Sequence, residues 1–165
     1  MLFRSETEYG RNTGKFRVLE ALGSLAFYYP PRADFFRSEL EQFLLLAREN
    51  GDNPTEILGS YAGAIGIPQF MPSSQRRYAV DFDGDHRIDL RRSTSDAIGS
   101  VARFLQQHGW QKGAPVAVPA WVEQDPAPLI SLGIKPILPV AELTAGGVRA
   151  TAEPDKIGRA SWRER

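Results

Sequence analysis

Apolar residues recur at helical spacing in a few stretches of the chain and fall into short, broken runs elsewhere. Within residues 15–28, Val18, Leu19, Leu22, Leu25 and Ala26 repeat every three or four positions, and the run ends at Tyr28-Tyr29 ahead of Pro30-Pro31. Residues 33–50 carry the clearest amphipathic pattern. Phe36, Leu40, Phe43, Leu44 and Ala47 make one stripe, Arg37, Glu41 and Arg48 lie off it, and Gly51 supplies a stop. One or two helical turns are predicted over residues 2–9, closed by Gly10, and Asp52 or Asn53 before Pro54 reads as the cap of a short turn through Leu58. A further helix is predicted from Asp96 to His108, capped by Ser95 or a neighbour, with Ile98, Val101, Ala102 and Leu105 toward the core and Gly109 at its end. Beyond Trp110, Pro115, Pro119, Pro126, Pro128, Pro136 and Pro139 divide the chain into short extended pieces such as PVAVPA. The pattern predicts a mainly α architecture up to Gly109, a Pro-rich irregular C-terminal part and no internal repeat.

Composition narrows the chemistry. At 165 residues the chain makes at most one domain, and 42% apolar with 24% charged residues is ordinary for a globular protein. Twenty basic and twenty acidic side chains cancel, so no global field points to nucleic acid or to an anionic membrane. Arg76, Arg77, Arg91 and Arg92 read as a solvated rim. The absence of cysteine removes disulfides, thiol catalysis and thiolate zinc sites, and two histidines, His86 and His108, make a histidine zinc site a poor reading. No apolar run approaches the roughly 20 residues of a spanning helix, and no signal peptide is recognisable. The opening MLFRSETEYG reads as the middle of an element. The closing IGRASWRER has no apolar periodicity and reads as the translation of a sequencing adapter, so the domain is expected to span residues 1–156 and residues 157–165 to be non-native.

The segment Gly59–Leu90 holds most of the candidate chemistry. Its second half, DFDGDHRID, places Asp81, Asp83, Asp85, Arg87 and Asp89 at positions 1, 3, 5, 7 and 9 of an EF-hand-like loop. Oxygen ligands on alternate residues wrap a Ca²⁺ ion, and position 7 gives only its carbonyl, so Arg87 is no obstacle. Two departures stand out: position 6 is His86 rather than glycine, and position 12 is Arg92 rather than glutamate. Asp96, at the start of the next helix, is the nearest replacement carboxylate. The competing reading is a solvated Asp-rich turn that caps a helix. Calcium is favoured because three aspartates converging without a cation repel one another.

Glu6, in SETEYG, is the candidate acid. Glu8 is a poor partner for it, because two residues along a helix is about 200° of rotation. On composition alone Glu6 is one surface glutamate among many. SETEYG, the run GKFRVLEALGSLAFYYPPRADFFRSELEQFLLLARE, the compositionally odd GSYAGAIGIPQFMPSS, the aspartate loop and DAIGSVARFLQQHGW together resemble the B-type membrane-bound lytic murein transglycosylases. The resemblance covers residues 1 to about 120 almost without gaps and extends more weakly to about 150.

It implies a lysozyme-like α-helical catalytic domain with an EF-hand-like calcium loop. It also implies cleavage of the MurNAc–GlcNAc bond of peptidoglycan with a 1,6-anhydro-muramic product. By resemblance, Glu6 is the single catalytic glutamate and Ser60 and Gln69 lie near the cleaved sugar pair. Calcium, in a structural role, falls to Asp81, Asp83, Asp85, the Arg87 carbonyl and Asp96. Tyr61, Tyr28 and Tyr29 have faces suited to sugar stacking, although a core role fits them as well; Phe43, Phe70 and Met71 are expected in the core. The partners implied are glycan strands and other cell-envelope enzymes, with no nucleic acid. The compartment implied is the bacterial periplasm, with membrane attachment only through an anchor not in this chain. The family's closing cleft segment, after the Pro-rich region, has no counterpart, so the chain reads as a fragment. Three other functions remain open: a hydrolytic muramidase with a second carboxylate, a non-catalytic peptidoglycan-binding module, and a calcium-dependent structural domain.

Overall fold

The computed structural model describes residues 7–8, 10–113, 119–133 and 138–151, which form two compact units, 1–104 and 105–165. The predicted turns over residues 2–9, apart from Thr7 and Glu8, lie outside the described residues, as does the tail 157–165.

In the first unit, β1 (Phe16–Arg17) pairs antiparallel with β2 (Leu58–Gly59), with Phe16 opposite Gly59. Helix α1 (Val18–Tyr28) follows β1 directly and buries Val18, Leu22 and Ala26. Tyr29 leads into a 3₁₀ turn, Pro30–Arg32, and then into α2 (Ala33–Asn50). Proline cannot continue α1 but suits the first turn of what comes next. Helix α2 packs along α1 and ends as its sequence predicts. Gly51 is left-handed (φ +68°), its N–H reaches Arg48 O, and the Asp52 N–H reaches Ala47 O, a Schellman closure.

The main core joins Val18, Leu22, Phe36, Phe43, Ile57 and Ile65. Phe43 and Leu22 are fully buried, each worth about 1.5–3 kcal/mol of transfer free energy. The predicted α2 stripe is corrected at one position: Leu44 is 45% exposed, and Leu46 is buried in its stead. Phe36, Phe43 and Ala47 set the inward face, and Leu44 falls to its flank.

Helix α3 (Pro72–Tyr78) has no counterpart in the hydrophobic pattern. Its sequence PSSQRRY is polar, and it is anchored from outside: Glu39 of α2 is 4% exposed and accepts the Ser73 N–H (3.0 Å) and hydroxyl (2.5 Å).

Helix α4 (Thr94–Gln107) begins at Ser93, whose Oγ accepts the Asp96 N–H. Its expected core face is corrected. Ile98 is 50% exposed and Ala102 is exposed, whereas Asp96, Ala97, Gly99 and Ser100 are buried. Close approach decides this. A Cβ on Gly99 would stand 2.6 Å from the Phe82 ring, and Ser100 Oγ accepts the Val80 N–H. A second small core, Phe70, Tyr78 and Leu90, packs against Val101 and Phe104.

The second unit has β3 (Ala120–Val122) antiparallel to β4 (Val148–Ala150), with two short helices between, α5 (Ala127–Ile130) and α6 (Val140–Ala145). This agrees with the Pro-rich pattern; of the predicted extended piece PVAVPA, residues 115–118 lie outside the described residues. Among the described residues no helix is long and apolar enough to cross a membrane.

Candidate active site and aspartate loop

An open groove of about 480 Å³ is lined by Asn12, Gly14, Lys15, Phe16, Ser60, Tyr61 and Gln69. Its wall is the tight turn after β2. Ser60 N–H bonds Ala64 O, Gly63 N–H bonds Ser60 O, and Ile65 bridges both Gly59 and Phe70. Gly14 (φ +94°) lets the two sides meet, because a Cβ there would lie 2.0 Å from Gly59 O.

The two polar candidates have opposite remaining capacities. Ser60 Oγ accepts the Ala62 N–H (3.2 Å) and the Ala64 N–H (3.0 Å). A hydroxyl has two acceptor sites and one hydrogen, so Ser60 still has its hydrogen to give. Gln69 sits at a left-handed φ of +51° and sends Nε2 to Thr13 O (3.0 Å) and Gly66 O (2.9 Å). Both amide hydrogens are thereby used, which fixes the amide orientation. Among the described residues no donor reaches its Oε1, so Gln69 offers a ligand an acceptor.

Tyr61 is 73% exposed on the groove wall, open for stacking. Tyr28 and Tyr29 are exposed at the end of α1 and do not line the groove, whereas Phe43 and Phe70 are buried and Met71 packs on the main core. Glu6 lies outside the described residues. The next residue, Thr7, is 1% exposed, and its Oγ1 donates to Ile67 O at 3.0 Å.

In the aspartate loop, one carboxylate oxygen each from Asp81, Asp83 and Asp96 lies within 4.8 Å of the others. Ligands on opposite sides of a Ca²⁺ are about 4.8 Å apart, so the three oxygens fit one coordination sphere of hard donors. Asp85 stands outside this group, with its Oδ1 on the Arg87 N–H (2.8 Å). Among the described residues no donor is directed at the Arg87 carbonyl. His86 adopts φ +68°, the left-handed conformation that a glycine at position 6 would supply, so the departure in residue type keeps the backbone shape.

Asp96 is the buried member of the three. Burial pushes its pKa up, but the N–H groups of Asp89, Phe82 and Asp83 and the Ser93 hydroxyl outweigh that and hold it below the usual aspartate value. The arginines nearby are engaged: Arg91 holds both oxygens of Asp52 (2.9 Å), and Arg76 holds Glu49 (2.6 and 2.9 Å). The Arg76 hydrogen bond lowers the pKa of Glu49.

Residues 2–162 match the family described as the transglycosylase SLT domain. The chain belongs to that family. Over 143 residues it is 50% identical to the membrane-bound lytic murein transglycosylase B of Escherichia coli strain K12, covering 87% of this chain and 38% of that protein. The crystal structure of the soluble lytic transglycosylase SltB1 from Pseudomonas aeruginosa superposes with a TM-score of 0.81 at 52% identity, over 92% of this chain and 51% of that one. The Escherichia coli lytic transglycosylase Slt35 in complex with calcium gives a TM-score of 0.74 at 44% identity, over 92% and 47%. The chain thus spans about half the length of these solved relatives, and less of the curated one. The fold is the lysozyme-like lytic transglycosylase fold, mainly α as the hydrophobic pattern indicates.

Sequence reading missed Asn12, Gly14, Lys15 and Phe16 as lining of this transglycosylase-family groove. The available signal was their place directly after SETEYG, combined with a glycine that pairing with Gly59 requires.

Proposed function

We propose that residues 1–156 are the catalytic part of a lytic transglycosylase that cleaves the MurNAc–GlcNAc β-1,4 bond of peptidoglycan, with Glu6 as its single acid and base. The observation that carries this is the groove. One stackable ring, Tyr61, one donor, Ser60, and one acceptor, Gln69, converge on a single open cleft, and the relatives named above are lytic transglycosylases.

In this reading Glu6 delivers a proton to the bridging oxygen as the C1–O bond breaks. The N-acetyl oxygen of the muramic residue supports the oxocarbenium-like centre. The sugar's own 6-hydroxyl then attacks C1, and the Glu6 carboxylate takes the hydroxyl proton, which restores the acid. No water is consumed, and no second carboxylate is required. Ser60, whose hydrogen is free, donates to the N-acetyl oxygen or to Glu6; Gln69 receives a sugar hydroxyl. Tyr61 stacks on a pyranose face.

The aspartate loop is assigned a structural Ca²⁺, held by Asp81, Asp83 and Asp96, with Asp85 and the Arg87 carbonyl completing the set. Bound there, the ion supplies charge balance for the converging carboxylates. Slt35 in complex with calcium supports this assignment. The compartment proposed is the periplasmic face of the bacterial envelope, with glycan strands as partners and membrane attachment through a segment outside this chain; the curated relative is named as membrane-bound.

The test is digestion of purified murein sacculi by this chain and by Glu6→Gln, with products read by mass spectrometry. Anhydro-muramyl ends that vanish in the variant are expected. Hydrated reducing ends would move the assignment to a hydrolase, and products that persist in Glu6→Gln would remove Glu6 from its role.

A further inference from the structure

We propose that Thr7 is a positioning residue for Glu6, and that the aspartate loop reaches it through one intermediary, Ile67. This rests on the catalytic reading of Glu6 above. Thr7 is 1% exposed and its hydroxyl is engaged both as donor and as acceptor: Oγ1 donates to Ile67 O at 3.0 Å and accepts the Gly10 N–H at 3.2 Å. Its carbonyl accepts the Asn12 N–H at 2.9 Å. The residue that follows Glu6 in sequence is therefore pinned on both its side chain and its backbone.

What it is pinned to has a second attachment. The Ile67 N–H donates to Leu90 O at 2.8 Å, and Gly66, at φ +73°, lies so close to Leu90 that a Cβ there would stand 2.4 Å from Leu90 O. Leu90 is 1% exposed and directly follows Asp89, whose N–H bonds Asp96 Oδ2 at 2.9 Å. Asp96 is in turn one of the three converging carboxylates. Arg91, on the other side of Leu90, is tied to Asp52. The loop that gathers the carboxylates thus fixes the Leu90 carbonyl, which fixes Ile67, which fixes the Thr7 hydroxyl. A displacement of about 1 Å at a reacting group is enough to cost on the order of 100-fold in rate, so this route gives the loop a hold on chemistry as well as on stability.

The experiment compares the parent chain with Thr7→Val, which keeps the shape and removes the hydroxyl, and Thr7→Ser, which keeps the hydroxyl. With murein sacculi, Thr7→Val is expected to lose at least about tenfold in kcat with KM within about twofold, and Thr7→Ser to recover most of it. Amide hydrogen exchange with and without CaCl₂ gives a readout independent of turnover. In the parent, calcium slows Gly84 and His86 in the loop and also Gly10 and Asn12, by at least about fivefold. In Thr7→Val the loop amides still slow, and Gly10 and Asn12 do not.

An unchanged kcat, a kcat and KM that fall together with the melting temperature, or a calcium response at Gly10 that survives in Thr7→Val would each overturn the proposal. Calcium that leaves the parent's Gly10 unaffected would do the same. Should Thr7→Val not fold, Thr7→Ser carries the test: it must retain the parental kcat and the parental response at Gly10, and loss of either overturns the link. Absence of anhydro products from the parent counts against the catalytic reading, and the exchange comparison still decides the linkage.

Discussion

Glu39 of α2 holds Ser73 of α3 by two atoms at once, accepting its backbone N–H at 3.0 Å and its hydroxyl at 2.5 Å. The carboxylate serves as the N-terminal cap of a seven-residue helix, supplied from another element and buried against it. Because α3 follows Gln69, Phe70 and Met71 with little between, this cap also sets where the groove wall ends. Glu39→Ala is expected to cost about 2–3 kcal/mol, since it leaves a helix N–H and a hydroxyl without their acceptor. Glu39→Gln, which keeps one acceptor oxygen, should cost roughly half of that. Urea unfolding midpoints at constant m-value check both, and equal losses in the two variants would show that the hydrogen bonds are not the source.

Gly66 faces a harder constraint. Its φ of +73° and the 2.4 Å separation from Leu90 O both exclude a side chain, and the obstructing atom is backbone. Gly66→Ala is expected to lose about 3 kcal/mol from strain and overpacking together. Gly23→Ala, where nothing lies within 4 Å of the added Cβ, is the matched control and should be neutral or gain up to about 1 kcal/mol, because it removes a helix-interior glycine. Thermal melts of the two variants side by side distinguish crowding from a general intolerance of substitution.

Removal of calcium gives a third expectation. A ligand at 100 times its Kd stabilises the folded state by about 2.7 kcal/mol, roughly 5–15 °C for a chain of this size. Calcium should therefore raise the melting temperature by that order and EDTA should reverse it. Asp81→Ala should lower the starting value, because Gly84 and His86 lose their acceptor, and should also abolish most of the calcium-induced rise. A full rise in Asp81→Ala would place the ion elsewhere.

The pH dependence follows from Asp96. Its folded pKa is depressed, so its contribution is fully present above the unfolded value of about 3.9 and is lost as pH falls through the lower folded value. The metal-free protein should lose stability on descending below about pH 4. Asp96→Asn, which swaps an acceptor oxygen for a donor group, should be destabilised by about 2–3 kcal/mol at pH 7, and its gap from the parent should close toward pH 3. Unfolding at pH 7, 4.5 and 3 in EDTA measures the gap; a constant gap would remove Asp96 as the titrating group.

The helices that were legible in the sequence are those whose cores are built by the helix's own apolar spacing. Val18, Leu22 and Ala26 in α1, and Phe36, Phe43 and Ala47 in α2, announce their buried face directly, and Gly51 announces the stop. Helix α3 was illegible because its stability comes from Glu39, far away in sequence. The inward face of α4 was misread because Gly99 and Ser100 pack through smallness and a hydroxyl, signals that a search for apolar residues passes over. Within the loop, alternation of aspartates pointed to Asp81, Asp83 and Asp85, and the missing carboxylate at position 12 pointed to Asp96; the fold gathers Asp81, Asp83 and Asp96, while Asp85 turns to its own backbone neighbour. The lining Asn12, Gly14, Lys15 and Phe16 escaped because it is an irregular segment held in place where Phe16 pairs with Gly59, and register between two-residue strands leaves almost no periodic trace.

Ser60 and Gln69 together make the groove sensitive to the direction in which a hydrogen bond runs. Gln69 has spent both of its hydrogens on Thr13 and Gly66, and Ser60 has spent both of its lone pairs on Ala62 and Ala64. Two ligands with the same outline but a hydrogen on the opposite atom are therefore not equivalent here. In the glycan reading proposed above, a fluorine in place of a sugar hydroxyl set against Gln69 keeps the size and polarity and offers nothing to donate, and so leaves Oε1 facing another acceptor. Selectivity in this cleft is a matter of proton bookkeeping as much as of shape.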